Sequence, residues 1–407
     1  YDYPRVQGLA EMMNSYGVIH NDAEVVSKIV ASQAHHKKID GHAPGLQGKD
    51  LDTYVAAGVY SDHECATMED ALAKLQRGQF IMIREGTAAR NLEALAPLLT
   101  PQYAERCMFC TDDKHPSDLL EKGHIDYIAR EAINKYGVDP IIAVKAACHH
   151  ASRYFLLNNR GAIAPGYLAD FAVIDNFKDF NVEMVFKKGV LYWNNGELRD
   201  FEAPKIEEYL DKRAHDTFHV STLTPDDFRD TRQRGVLGMV PGEIITTDNG
   251  YADHVDLEKD ILKIAVVERH KGTHHIGLGY IQGYGLKSGA VATSISHDSH
   301  NIIVVGTNSA DMAFAANYIV EHHGGIVVVE NGTVKGSVVL EIAGIMSDRP
   351  LTEVNDQLEA AKDAAFTLGV SRGIDPFMTL SFMALPVIPK LRITTRGVVD
   401  VDTQQYV

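Results

Sequence analysis

Short apolar runs that break off in acids or histidines recur through the first 120 residues. Cys107-Met108-Phe109-Cys110 ends in Thr111-Asp112-Asp113, and Gly8-Leu9-Ala10 ends in Glu11. Lys38-Ile39-Asp40-Gly41 leads to His42, and Ala57-Gly58-Val59-Tyr60-Ser61-Asp62 leads to His63-Glu64. Apolar runs of this length, bounded by polar punctuation, predict buried strands. Phe80 to Gly86 reads as a further strand. Helical spacing fills the intervals. Residues 22–36 predict a helix with Asp22 near its N-cap, and LDTYVAAG a short one. Residues 67–77 predict another, with Thr67 as N-cap and Gly78 as stop, and residues 88–99 a fourth. Strand and helix alternate with short loops, the pattern of parallel βα units.

Beyond Asp113 the pattern changes to two helical stretches, 117–136 and 140–157, and then to a small β unit. Residues 197–234 are charged and less periodic. A new α/β region starts near Gly235, with a hairpin turn at Asn331-Gly332. Four segments result: a barrel-like part over 1–160, β-sandwich strands over 161–196, a connector over 197–234, and a C-terminal α/β domain over 235–407. Gly277, Gly279, Gly283 and Gly285 do not fit a G-x-G-x-x-G loop, because Gln282 stands in its last position; they read as tight turns. The paired histidines 35–36, 149–150, 274–275 and 322–323 read as surface residues.

Composition narrows the function classes. With 407 residues and 45% hydrophobic content the chain supports sizeable cores. A formal charge of −16 argues against a nucleic-acid backbone or an anionic membrane as partner. No apolar stretch approaches the ~20 residues that span a bilayer. Four cysteines make no disulfide framework, which points to a reducing cytoplasm.

The chemistry lies at the strand ends. Glu11, His42, His63 and Asp112 each follow a predicted strand, and parallel α/β barrels gather their active sites at that rim. Taken singly, each has an ordinary reading: a hydrogen-bonded histidine, a solvated acid, an N-cap for a helix near Ser117. Taken together, histidines and carboxylates are ligands for zinc, manganese or iron, and the set points to a metal-dependent hydrolase. Cys107 and Cys110 form a C-x-x-C inside an apolar strand and read as buried reduced thiols. The cytidine-deaminase signature is not met, since Arg106 precedes Cys107 and His63 adjoins Glu64. Ser296-His297-Asp298-Ser299-His300-Asn301 is dense in polar groups for a strand entry.

These motifs resemble a family. LAEMMNSYGVI, DGHAPGLQGKDLDTYVAAGVYSDHE, MIREGTAARNLEALAPL, CMFCTDDKHP and GAIAPGYLADFAVI are similar to the bacterial adenine deaminases of the amidohydrolase superfamily. ATSISHDSHNIIVVG and MALPVIPKLRITTRG extend the likeness to the C-terminal domain. The resemblance implies a (β/α)8 (TIM-like) barrel lacking its N-terminal part, with β-sandwich strands and a family-specific C-terminal domain. It implies hydrolysis of adenine to hypoxanthine and ammonia by two divalent metal ions, Mn, Fe or Zn. Glu11, His42, His63 and Asp112 would be the ligands, with Asp112 and Glu64 catalytic. Arg84, Glu85, His297, Asp298 and His300 would contact substrate. The family's H-x-H ligand pair is absent from this chain. The expectation is therefore a C-terminal piece, active with the missing N-terminal part as partner, in a homo-oligomer.

Overall fold

Five short parallel strands follow one another in space as they do in the chain. The computed structural model describes residues 1–407 apart from Pro4, Ala88, Ala203 and residues 241–243. β1 (Gly8–Met12) pairs with β2 (Lys38–Gly41), Leu9 opposite Ile39. β3 (Ser61–Asp62) pairs with β4 (Phe80–Arg84), and β4 with β5 (Cys107–Cys110), Ile83 opposite Phe109. Tyr60 N–H donates to the Ile39 carbonyl (2.9 Å) and Gly41 N–H to Ser61 Oγ (3.3 Å), which joins the two ladders between β2 and β3.

Helices make the crossovers that parallel pairing requires. They are α1 (Ser15–Ile19) and α2 (Ala23–Ala34), α3 (Gly48–Ala56), α4 (Met68–Gln76) and α5 (Leu92–Leu95). Asp22 caps α2 through the N–H groups of Glu24 and Val25, and Thr67 caps α4 through that of Asp70. The stretch expected as one helix over 88–99 is shorter. Ala88 lies outside the described residues, and α5 gives way to a 3₁₀ turn at Ala96–Leu98, where Pro97 has no N–H to donate. After β5 come α6 (Pro116–Glu121) and α7 (Ile125–Asn134), separated by Gly123 at φ 102°. α8 (Pro140–Val144) and α9 (His150–Tyr154) are joined by a single π turn. His150 is not a surface residue as expected: it is buried, and its Nδ1 meets the Cys107 carbonyl at 2.8 Å. Ile81, Ile83, Cys107 and Phe109 form one core with these helices. β6 (Phe171–Ile174), β7 (Val182–Lys187), β8 (Val190–Asn194) and β9 (Glu197–Leu198) form a small antiparallel sheet.

The chain divides into two units, Tyr1–Ala203 and Pro204–Val407. The second unit begins with α10 (Glu208–His215), and its charged lead-in carries Leu223 and Phe228 into a buried core. Of the stretch read as a connector, Glu197–Leu198 thus forms β9 of the first unit, and the part from Pro204 onwards belongs to the second. An eight-stranded sheet follows, in the order β11-β10-β13-β12-β15-β14-β16-β17. In chain order these are β10 (Arg234–Met239), β11 (Thr246–Ala252), β12 (Ile261–Val267) and β13 (Ile276–Gln282), then β14 (Ala290–Thr293), β15 (Ile302–Gly306), β16 (Gly325–Glu330) and β17 (Thr333–Val339). α11 (Ser309–Glu321) covers one face, packing on Ala265, Val267, Val304 and Val327. α12 (Leu351–Thr367) and α13 (Pro376–Phe382) cover the other, packing on Ile264, Val266, Ile303 and Val328. Burial on both faces accounts for the unbroken apolar runs of the central strands. Gly277 and Gly279 are a correction: they lie inside β13 and not in turns. A Cβ there would collide with the Thr394 carbonyl and the Val398 side chain. Gly283 (φ 101°) and Gly285 (φ 92°) lie past the end of β13 with left-handed backbone. β18 (Leu391–Thr394), β19 (Gly397–Asp400) and β20 (Gln405–Tyr406) close the chain. Among the described residues, no helix is long and apolar enough to cross a membrane.

Candidate metal and catalytic site

The C-terminal ends of the five parallel strands deliver six side chains to one place. Glu11 sits on β1, His42 just past β2, His63 and Glu64 just past β3, Arg84 at the end of β4, and Asp112 two residues past β5. Glu11 Oε1 lies 2.7 Å from His42 Nδ1 and 3.2 Å from His63 Nε2. Glu64 Oε1 lies 3.2 Å from His63 Nε2, and Asp112 Oδ2 lies 3.8 Å from it. Arg84 donates to both Glu64 oxygens (2.5 and 3.0 Å) and to Asp112 Oδ2 (2.6 Å). Asp112 has φ 54°, a left-handed backbone that Asp tolerates better than most residues. It does not cap the following helix; His115 occupies that position.

The electrostatics are those of a ligand cage. Burial alone would raise the carboxyl of Glu11, but its contacts with His42 and His63 outweigh this and hold it well below the usual range. Burial likewise opposes ionisation of Glu64, yet His63 and Arg84 pull it down to about 2. Burial would lower His63, but Glu11 and Glu64 lift it to about 10. Glu11, His42, His63 and Glu64 each offer a donor atom, all within 4.8 Å of one another. His42 is buried, and neither of its ring nitrogens is aligned for a hydrogen bond, despite the nearby carboxylate. A buried imidazole without an aligned partner, facing converging carboxylates, fits a divalent cation of the zinc, manganese or iron type.

Glu85, expected beside Arg84, is not part of this cluster. Successive strand residues point to opposite faces, and its carboxylate accepts the Leu92 N–H (3.3 Å) instead. His297, Asp298 and His300 form a second donor cluster inside the second unit, His297 Nδ1 lying 3.3 Å from Asp298 Oδ1.

Residues 6–192 match the amidohydrolase family, and residues 243–405 match the adenine deaminase C-terminal domain. The chain is 45% identical to an adenine deaminase of Desulfatibacillum aliphaticivorans, over 100% of this chain and 72% of that protein. It is 44% identical to one from Nitratidesulfovibrio vulgaris, over 100% of this chain and 71% of that protein. The chain belongs to the adenine deaminase family. A solved β-aspartyl dipeptidase from Fervidobacterium islandicum is similar at 17% identity and TM-score 0.37, over 45% of this chain and 54% of that one, too distant to inform the site. The amidohydrolase family to which adenine deaminases belong implies a divalent metal.

Several groups that serve this site carry no motif. Tyr54, on α3, donates to the Met12 carbonyl (2.6 Å) and accepts the His42 N–H (2.9 Å), tying β1 to β2. Tyr154 donates to Asp40 Oδ1 (2.5 Å), which also accepts from Ser61 Oγ. Lys74 and Asp62 form a buried ion pair behind the histidines. The one sequence signal for Lys74 is its place three residues after buried Ala71, on the inward face of α4.

Proposed function

We infer that this chain catalyses the hydrolytic deamination of adenine, giving hypoxanthine and ammonia. The observation that carries this is its 45% identity, over its whole length, to an adenine deaminase. Glu11, His42, His63 and Asp112 are assigned as ligands to a pair of divalent ions. When bound, such ions supply a water acidified towards neutrality. Asp112 takes the water proton at a carboxylate oxygen and delivers it to the amino nitrogen on C6. The water oxygen bonds to C6, the C6–N bond breaks, and ammonia leaves. Arg84 keeps Glu64 ionised and fixes it relative to Asp112. Glu64, held by the same guanidinium, is assigned to a purine ring nitrogen.

Ammonia release from adenine by the Mn2+-loaded full-length enzyme tests this, with guanine, adenosine and cytosine as controls. Release from adenine alone is the expected result. No release from adenine by the metal-loaded full-length enzyme would overturn the assignment.

A further inference from the structure

Behind the ligand set lies a fully buried lysine. Lys74 Nζ donates to the Ala43 carbonyl (2.8 Å), Asp62 Oδ2 (2.9 Å) and Asp70 Oδ2 (3.0 Å), with Cys65 Sγ at 3.5 Å. Its side chain, like that of Asp62, has no exposure to solvent. The ammonium thus fills the centre of the donor set formed by Asp62, Cys65 and Asp70. Asp62 faces the other way as well. Its Oδ1 accepts the Ala43 N–H (2.7 Å), and its Oδ2 accepts the Glu64 N–H (3.0 Å). Both polar groups of residue 43, the residue after His42, are therefore held by the one ion pair. So is the turn that carries His63 and Glu64.

Packing does not require this arrangement. A buried ion pair contributes little net stability compared with apolar residues of the same volume. What it adds is a fixed relation between two strand ends. We propose that Lys74, acting through Asp62, is a positioning residue that sets the spacing of His42 against His63 and Glu64 for metal binding. This rests on the assignment of those histidines as ligands. Groups that orient metal ligands from behind typically change affinity by roughly 10- to 100-fold when lost.

The test is Mn2+ titration of the metal-stripped enzyme by calorimetry, alongside kcat and KM for adenine and the melting temperature. Lys74→Met and Asp62→Asn are compared with Asp70→Asn, which touches the ammonium but neither ligand-bearing turn. The first two are expected to raise the Mn2+ Kd by roughly 10- to 100-fold with KM within about threefold, and Asp70→Asn to leave the Kd within about threefold. If Lys74→Met does not fold, Asp62→Asn against Asp70→Asn decides. Variants that melt earlier but bind Mn2+ like the parent would overturn the proposal and reduce the pair to core structure. Equal loss of affinity in Asp62→Asn and Asp70→Asn would overturn it too. A parent enzyme that binds no Mn2+ would instead sink the ligand assignment, and this proposal with it.

Discussion

Replacing Arg84 with Met isolates what one buried cation does for the site. The guanidinium is 6% exposed and makes two hydrogen bonds to Glu64 and one to Asp112. Methionine keeps the apolar stem and removes all three, together with the Nε–H donated to Asn91 Oδ1 (3.3 Å). Glu64 is 8% exposed, so its charge is left in a place that water barely reaches. Breaking a buried pair by removing one partner costs about 3–5 kcal/mol. Asp112 is 36% exposed and resolvates, so its share is at most about 1 kcal/mol. The expected loss for the metal-free enzyme at pH 7 is therefore up to about 3 kcal/mol, below the full cost because His63 Nε2 still faces Glu64 Oε1 at 3.2 Å. Its pH dependence has a definite sign. Glu64 is held at about 2 in the folded parent, below its unfolded value near 4.3. That difference stabilises the parent above the unfolded pKa and is lost as pH falls towards 2. The variant lacks much of it, so the gap between the two proteins should narrow below about pH 4.5. Trp193, the single tryptophan, lies in the same unit as the site and reports urea unfolding there. A gap under about 1 kcal/mol at pH 7, or one that does not change with pH, would refute this account.

Asp112→Asn should leave the fold intact and lower kcat by roughly 10²–10⁴-fold, the usual worth of a proton-transfer group; an Mn2+-loaded variant with parental turnover removes Asp112 from the mechanism. His63 is lifted to about 10 in the metal-free protein, so its proton stabilises the fold below its unfolded value of 6.5 and is lost as pH rises through 10. Loading Mn2+ at pH 7.5 should therefore release about one proton from His63, seen with an indicator dye in weak buffer, and the absence of any proton release would contradict its role as a ligand. Tyr54→Phe leaves the His42 N–H buried without its partner and should cost about 1–3 kcal/mol in the same unfolding assay. Burial pushes the Cys107 thiol up to about 12, so Cys107→Ala should cost roughly 1 kcal/mol and leave kcat and metal content unchanged; loss of bound metal would make the C-x-x-C a binding site after all.

Glu11, His42, His63 and Asp112 are legible in the chain because each is a polar group at or just past the end of an apolar run. A parallel array turns that linear position into a shared rim. Arg84 is legible for the same reason, while Glu85 fails because neighbouring strand residues face opposite ways. Lys74 and Tyr54 escape because their helices do not announce which face turns inward. A lysine between Ala73 and Leu75 reads as solvated until the strand ends supply its acceptors. The helix expected over 88–99 gives too little weight to Pro97. Gly277 and Gly279 look like turn glycines, but what demands them is the close approach of backbone around Thr394 and the Val398 side chain, which no local pattern records.

The donors at the rim come from successive strands spread over residues 8–110, and no local segment brings Glu11 to Asp112. Closing such long stretches of chain loses entropy before any contact compensates. A cation therefore meets its whole donor set only after the five strands have docked in register. Its binding energy then favours the finished fold and no earlier species. Metal supply during synthesis should for that reason govern how much enzyme survives to maturity, as well as how fast each molecule turns over.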